Sequence, residues 1–201
     1  MTAKIKRHLG KDPVLKPLIA QVKLKERPAQ NSVYEALLRA INFQQLSGKA
    51  ASTIHGRFLE LFDDYYPDPY HLQQFTPEEL RAVGLSRQKA AYVKNVADFF
   101  IEHNLMDKDW TKESDEAILS LLTQIKGVGQ WTVEMILMFT LHRPDVLPLD
   151  DLVIRNSMIG LYGVEAKGRA LKKRLLEIAE PWRPYRTWAS RYLWQYKDTI
   201  I

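Results

Sequence analysis

Apolar residues recur along this chain at spacings of three and four, and the strict alternation of a half-buried strand is hard to find in it. That periodicity restricts the fold to packed helices. Asn31 or Ser32 can cap a helix, "VYEALLRAINFQ", whose Val33, Leu37, Leu38 and Ile41 share one face. A second helix, "KAASTIHGRFLELF", buries Ala51, Ile54, Phe58, Leu61 and Phe62, and the Tyr/Pro-rich "DDYYPDPYHL" stops it. In "TPEELRAVG", Thr76, Pro77 and Glu79 form a capping-box pattern. Gly84 ends that helix, and Ser86 starts a longer one through His103.

The second half repeats the grammar. Ser114 caps "DEAILSLLTQI", a glycine-containing turn follows, and "QWTVEMILMFTLH" comes next. Pro144 and Pro148 enforce an extended link, and Asp150 or Asp151 begins "LVIRNSMIGLYG". Two more amphipathic stretches, "EAKGRALKKRLLEIAE" and "YRTWASRYLWQYK", complete the chain. About ten helices in an all-α unit, in two lobes, account for the pattern. The expected division is an N-terminal arm and helix over 1–30, a first helical lobe over 31–105, and a lobe with the glycine turn and C-terminal helices over 106–201. The opening "MTAKIKRHLGKDPVLKP" is broken by Gly10, Pro13 and Pro17 and is expected to be a surface arm, not a targeting helix.

The absence of cysteine excludes disulfides, thiolate zinc sites and iron–sulfur clusters. With no signal peptide and no long apolar run, the expectation is a soluble intracellular protein that does not enter membranes. Five histidines, His8, His55, His71, His103 and His142, are scattered without paired ligand spacing, which argues against metal-dependent hydrolysis. A net charge of +5 favours a polyanionic partner. The charge run "KGRALKKRLLE" is the most basic segment, and a solvated helix face explains it equally well.

The turn "KGVGQW" has two glycines two apart, either of which can take a positive φ, and it opens a helix. The first amides of that helix and its dipole suit a phosphate. A plain helical corner, in which glycine only permits close packing, is the bland alternative. Asp151 lies 20 residues beyond Trp131. Together, "LLTQIKGVGQWT", the proline link and that aspartate resemble the helix-hairpin-helix motif of DNA glycosylases. "INFQQLSGKAASTI" and "PWRPYRTWASRYLW" are similar to the corresponding blocks of alkylpurine DNA glycosylases, the 3-methyladenine DNA glycosylase II group in its short form. The likeness runs from Asn31 to Lys197. Larger bacterial members add an N-terminal β-rich domain, for which a chain of this length has no room.

The resemblance implies a two-lobed helical fold with the active-site cleft between the lobes. It also implies a monomeric, monofunctional enzyme that removes alkylated purines, such as 3-methyladenine and 7-methylguanine, from double-stranded DNA. Asp151 is then the catalytic carboxylate, facing the positive charge that develops on the sugar, and Asp150 a structural support. An N-cap role for Asp151 is compatible with this, because amide donors favour the charged form of a carboxylate. Bifunctional relatives place a lysine where this chain has Trp131, so strand cleavage through a Schiff base is not expected. Trp131, Trp194, Gln44 and Met135 are assigned to the base pocket, whereas Trp182, Trp188 and Tyr192 are expected in the core. Met135 stands where larger relatives can have an aromatic. Gln45, with Leu46 next, is the expected wedge filling the gap left by an extruded base. Lys49, Gly127, Gly129 and Thr132 are expected to contact the DNA backbone, and Lys126 to face phosphate or solvent. No cofactor is expected for catalysis. A structural Na+ or K+ is expected on the backbone carbonyls of Thr123, Ile125 and Val128. Two competing expectations remain: a non-catalytic DNA-binding module with this hairpin, and a glycosylase for mismatched, deaminated or oxidised bases.

Overall fold

The structure is a computed structural model describing residues 2–24 and 32–200, with side chains as far as Tyr196. Among the described residues there are twelve α-helices and no strand. In chain order they are α1 (Ala3–Leu9), α2 (Leu15–Gln21), α3 (Val33–Phe43), α4 (Gly48–Leu59), α5 (Pro69–Gln74), α6 (Pro77–Ala82), α7 (Arg87–Glu102), α8 (Asp115–Leu122), α9 (Gln130–Phe139), α10 (Leu152–Tyr162), α11 (Gly168–Ala179) and α12 (Arg186–Ile200). They form two compact units, one of Ala29–Leu141 and one of Met1–Pro28 with His142–Ile201. The glycine turn therefore belongs with the earlier helices, whereas the sequence had grouped it with the C-terminal ones.

Helix starts follow local chemistry. The Ser32 hydroxyl accepts from Glu35 N–H at 3.1 Å and donates to the Glu35 carboxylate at 2.7 Å; Asn31, the other expected cap, lies outside the described residues. Thr76 and Glu79 form the full capping box, and Ser86 and Ser114 cap α7 and α8. α5 was not foreseen. It hides in the stretch read as a helix stop, where the Asp68 carboxylate accepts from His71 N–H at 2.9 Å and Pro69 needs no donor of its own.

In the unit Ala29–Leu141, α3 packs on α4, α7 and α9. Its Leu37, Leu38 and Ile41 are fully buried, each contributing about 1.5–3 kcal/mol relative to exposure. In the other unit, α10 packs on α12 and α12 on α2, around Leu15, Ile154, Met158, Trp182 and Leu193.

The expected N-terminal arm is instead part of that core. Ile5, Leu9, Leu15 and Leu18 are buried. Pro17 is the third residue of α2, where its missing N–H costs no helical hydrogen bond. Asp12 secures the segment: Oδ1 accepts from Val14 N–H and Leu15 N–H at 2.8 and 3.1 Å, and Oδ2 accepts from Tyr162 Oη–H and Trp182 Nε1–H, both at 2.8 Å.

Candidate active site

α8 ends at Leu122, and the chain turns back into α9 through a hairpin whose Ile125 and Val128 side chains are buried. Val128 N–H donates to Ile125 O at 3.0 Å and closes the turn. Gly127 has φ of +106°, and a Cβ there would lie 2.3 Å from the Tyr92 ring, so this position excludes any side chain. Gly129 has φ of −96° and open space around it. Of the two glycines, either of which can take a positive φ, only Gly127 does.

Side-chain amides hold the hairpin carbonyls. Asn95 Nδ2 donates to Lys126 O at 3.1 Å, Gln44 Nε2 donates to Gly127 O at 3.2 Å, and Gln88 Nε2 steadies the Tyr92 hydroxyl at 2.6 Å. Lys126, Gly129, Gln130 and Trp131 are exposed. Gly129 gives α9 no side-chain cap, so the positive end of the helix carries no acceptor of its own and suits an anion.

Trp131, 44% exposed, stands in the first turn of α9, and the half-buried Met135 follows four residues on along the same face. Thr132 is only 4% exposed, which withdraws its hydroxyl from the expected phosphate contact and leaves its main-chain amide as the group it can offer. Beyond α3, Gln45 is exposed at φ of +56°, an uncommon conformation for a residue with a side chain. Leu46 and Lys49 are exposed beside it in sequence. Gln44, expected in a base pocket, is half-buried and its amide nitrogen is engaged with the hairpin.

The loop that carries Gln45 is braced at its root. Lys89 Nζ donates to Asn42 O at 2.9 Å, and Asn42 Nδ2 donates to His55 Nδ1 at 3.0 Å. Burial, and secondarily the Arg39 charge, press the His55 pKa down to about 4, so this imidazole is neutral at pH 7.

In the second unit, the link between α9 and α10 is bound to the start of α12. Thr187 Oγ1–H donates to Arg143 O at 2.7 Å and Thr187 Oγ1 accepts from Val146 N–H at 2.9 Å, while Thr187 N–H donates to Pro144 O at 3.1 Å. The Arg186 guanidinium clamps both carboxylate oxygens of Asp145 at 2.8 and 2.9 Å. This pinned segment delivers Asp151 to the N-cap of α10, where Oδ1 accepts from Val153 N–H at 2.9 Å and Ile154 N–H at 3.0 Å. Asp151 is half-buried and Asp150 exposed.

Trp194 packs half-buried against the same core. Trp182 and Tyr192 are core residues, as expected, whereas Trp188 is half-buried under the Arg191 guanidinium, 4.8 Å from its ring centre. Sequence reading missed Tyr92 and Asn95. Their spacing with Gln88 marks one polar stripe on α7, but a solvated stripe reads the same. It also missed Asp145, Arg186 and Thr187, whose partners lie about forty residues away.

Helices of this order, enclosing this hairpin and followed by a capping aspartate, define a class. The chain belongs to the HhH-GPD superfamily of base excision DNA repair proteins, whose sequence pattern matches residues 38–184. A DNA-3-methyladenine glycosylase of Schizosaccharomyces pombe is 39% identical over 164 residues, spanning 81% of this chain and 71% of that protein. The S. pombe 3-methyladenine DNA glycosylase solved with abasic DNA superposes with a TM-score of 0.82 at 35% identity, covering 98% of this chain and 97% of that one. A DNA-3-methyladenine glycosidase from Bacillus halodurans gives 0.84 at 32% identity, covering 98% and 90%.

Proposed function

We propose that this chain is a monofunctional DNA glycosylase that releases alkylated purines of the 3-methyladenine and 7-methylguanine type from duplex DNA and so starts base excision repair. The observation that carries the reading is Asp151, a half-buried carboxylate fixed at the N-cap of α10 by a pinned link, in a chain similar throughout to 3-methyladenine DNA glycosylases. The hairpin amides take the DNA backbone, Lys49 and Lys126 add positive charge, and Gln45 or Leu46 fills the stack once a nucleotide is turned out. Trp131, exposed in the first turn of α9, offers an aromatic face on which an extruded, electron-poor purine can stack.

A purine alkylated at N3 or N7 is cationic, so it departs as a neutral base with the bonding pair and needs no strong general acid. Positive charge passes to the sugar, as in glycoside cleavage. At 4 Å and an effective dielectric near 20, a carboxylate opposite that charge interacts by about 4 kcal/mol, roughly a thousandfold in rate if realised only in the transition state. Water then bonds to the anomeric carbon, gives up a proton, and leaves an abasic site. Trp131 offers no amine for Schiff-base chemistry, so the strand stays intact. No cofactor enters these steps, and the chain acts as a monomer wherever the cell keeps its DNA. The same reading puts a structural Na+ or K+ on the backbone carbonyls of Thr123, Ile125 and Val128, and the Ile125 carbonyl keeps a second lone pair for it beyond its bond to Val128 N–H.

Methylated duplex DNA offered to the wild type and to Asp151→Asn tests the proposal by chromatography of the released bases. Free 3-methyladenine and 7-methylguanine are expected from the wild type, without nicking, and on the order of a thousandfold less from the variant. Equal release by both proteins would sink it.

A further inference from the structure

Both elements that the proposed function brings to DNA from the unit Ala29–Leu141 lie at the ends of packed helices, α3 and α9, and a side-chain hydrogen bond links them directly. Gln44 ends α3, one residue before the exposed and left-handed Gln45, and its Nε2 donates to Gly127 O at 3.2 Å across 83 residues of sequence. Its bonding partner is the most constrained residue of the hairpin: Gly127 sits at φ +106° with the Tyr92 ring against its α-carbon. Neither element is held there by this bond alone. Lys89 anchors the root of the Gln45 loop through Asn42 O, and Asn95 and Tyr92 anchor the hairpin. All three anchors stand on α7. α7 is thus a bracket that anchors both arms, and the Gln44–Gly127 hydrogen bond ties the arms to one another.

We infer that Gln44 is a positioning residue that sets the distance between the base-gap wedge at Gln45 and the backbone-gripping hairpin, and that this tie, not a contact with the damaged base, is its role in excision. The inference rests on the glycosylase reading above. A wedge works only if it enters the stack where the gripped strand presents the gap. A cross-tie that fixes this register lowers the reorganisation needed during extrusion. Because the two arms keep their own anchors, losing the tie leaves the fold and the grip intact and blunts only their coordination. Positive φ at Gln45 fits such a role, since a strained conformation beside a functional contact persists only when its surroundings hold it.

Gln44→Met keeps the length and removes the donor; Gln44→Glu keeps length and polarity and, ionised, also cannot donate. We expect both to slow single-turnover excision by roughly 5- to 10-fold, the weight of one hydrogen bond. The emission of 2-aminopurine at the target position, which reports extrusion, should drop with the rate. Affinity for abasic duplex should change by less than about 2-fold, and thermal midpoints should stay within about 2 °C. The ratio of 3-methyladenine to 7-methylguanine released should not move. Wild-type excision rates in both variants would overturn the inference. So would a shifted base ratio, which would return Gln44 to the base pocket, or a loss of abasic binding in step with excision. A wild type that releases no base would instead overturn the glycosylase reading, a result the first arm of the experiment reports separately.

Discussion

The Trp182 indole nitrogen donates to Asp12 Oδ2 at 2.8 Å, joining residues 170 positions apart. The same oxygen accepts from Tyr162, while the other carboxylate oxygen caps α2. Asp12→Ala removes a helix cap, worth about 1 kcal/mol, and strands two partly buried donors at about 1–3 kcal/mol each. A total loss of about 3–7 kcal/mol in urea denaturation is expected, with Asp12→Asn losing less because its amide oxygen can still accept.

Asp151 has two separable duties. Asparagine caps a helix as well as aspartate does, so Asp151→Asn should change stability by less than about 0.5 kcal/mol, whereas Asp151→Ala should cost about 1 kcal/mol. Both should lose base release to a similar extent. If the alanine variant were crippled and the asparagine variant active, the cap and not the charge would be the functional element.

The two hairpin glycines should answer mutation differently. Gly127→Ala forces a methyl to within 2.3 Å of the Tyr92 ring at a left-handed φ, so the turn must move. A stability loss of about 2 kcal/mol or more and at least roughly tenfold weaker abasic-DNA binding are expected. Gly129→Ala meets no neighbour and should cost under about 1 kcal/mol. Equal losses at both positions would contradict the geometry.

His55 makes stability depend on pH. Burial first, then Arg39, depress its pKa from 6.5 to about 4, so the unfolded chain binds its proton more readily than the folded one. The contribution is fully present above pH 6.5 and is lost progressively as pH falls towards 4. The urea midpoint of the wild type should fall between pH 7.5 and 4.5, and His55→Gln should show a shallower decline. Parallel declines would show that other groups set the slope.

Much of this architecture is written locally. The caps at Ser32, Thr76, Ser86, Ser114 and Asp151 are one-dimensional signals, and each was legible because a cap needs only its own next three residues. Gly10, Pro13 and Pro17 misled in the opposite direction. They read as breakers, and what makes α1 and α2 core helices is burial against α10 to α12, which no local pattern reports. Likewise the reason for Gly127 is a tyrosine on another helix, and the path to Asp151 is set by Asp145 and Arg186 about forty residues apart. The hairpin and the Asp151 cap were legible as motifs, and the groups that position them were not.

The unit built from Met1–Pro28 and His142–Ile201 is discontinuous, with Ala29–Leu141 inserted into it. A nascent chain leaving the ribosome can complete the inserted unit first, but the core that buries Leu15 and Leu18 stays unfinished until α12, with Ala189 and Leu193, has emerged. A release at residue 185 would leave that core without Ala189 and Leu193, so any unfinished product should be recognised by chaperones or proteases before it ever meets DNA.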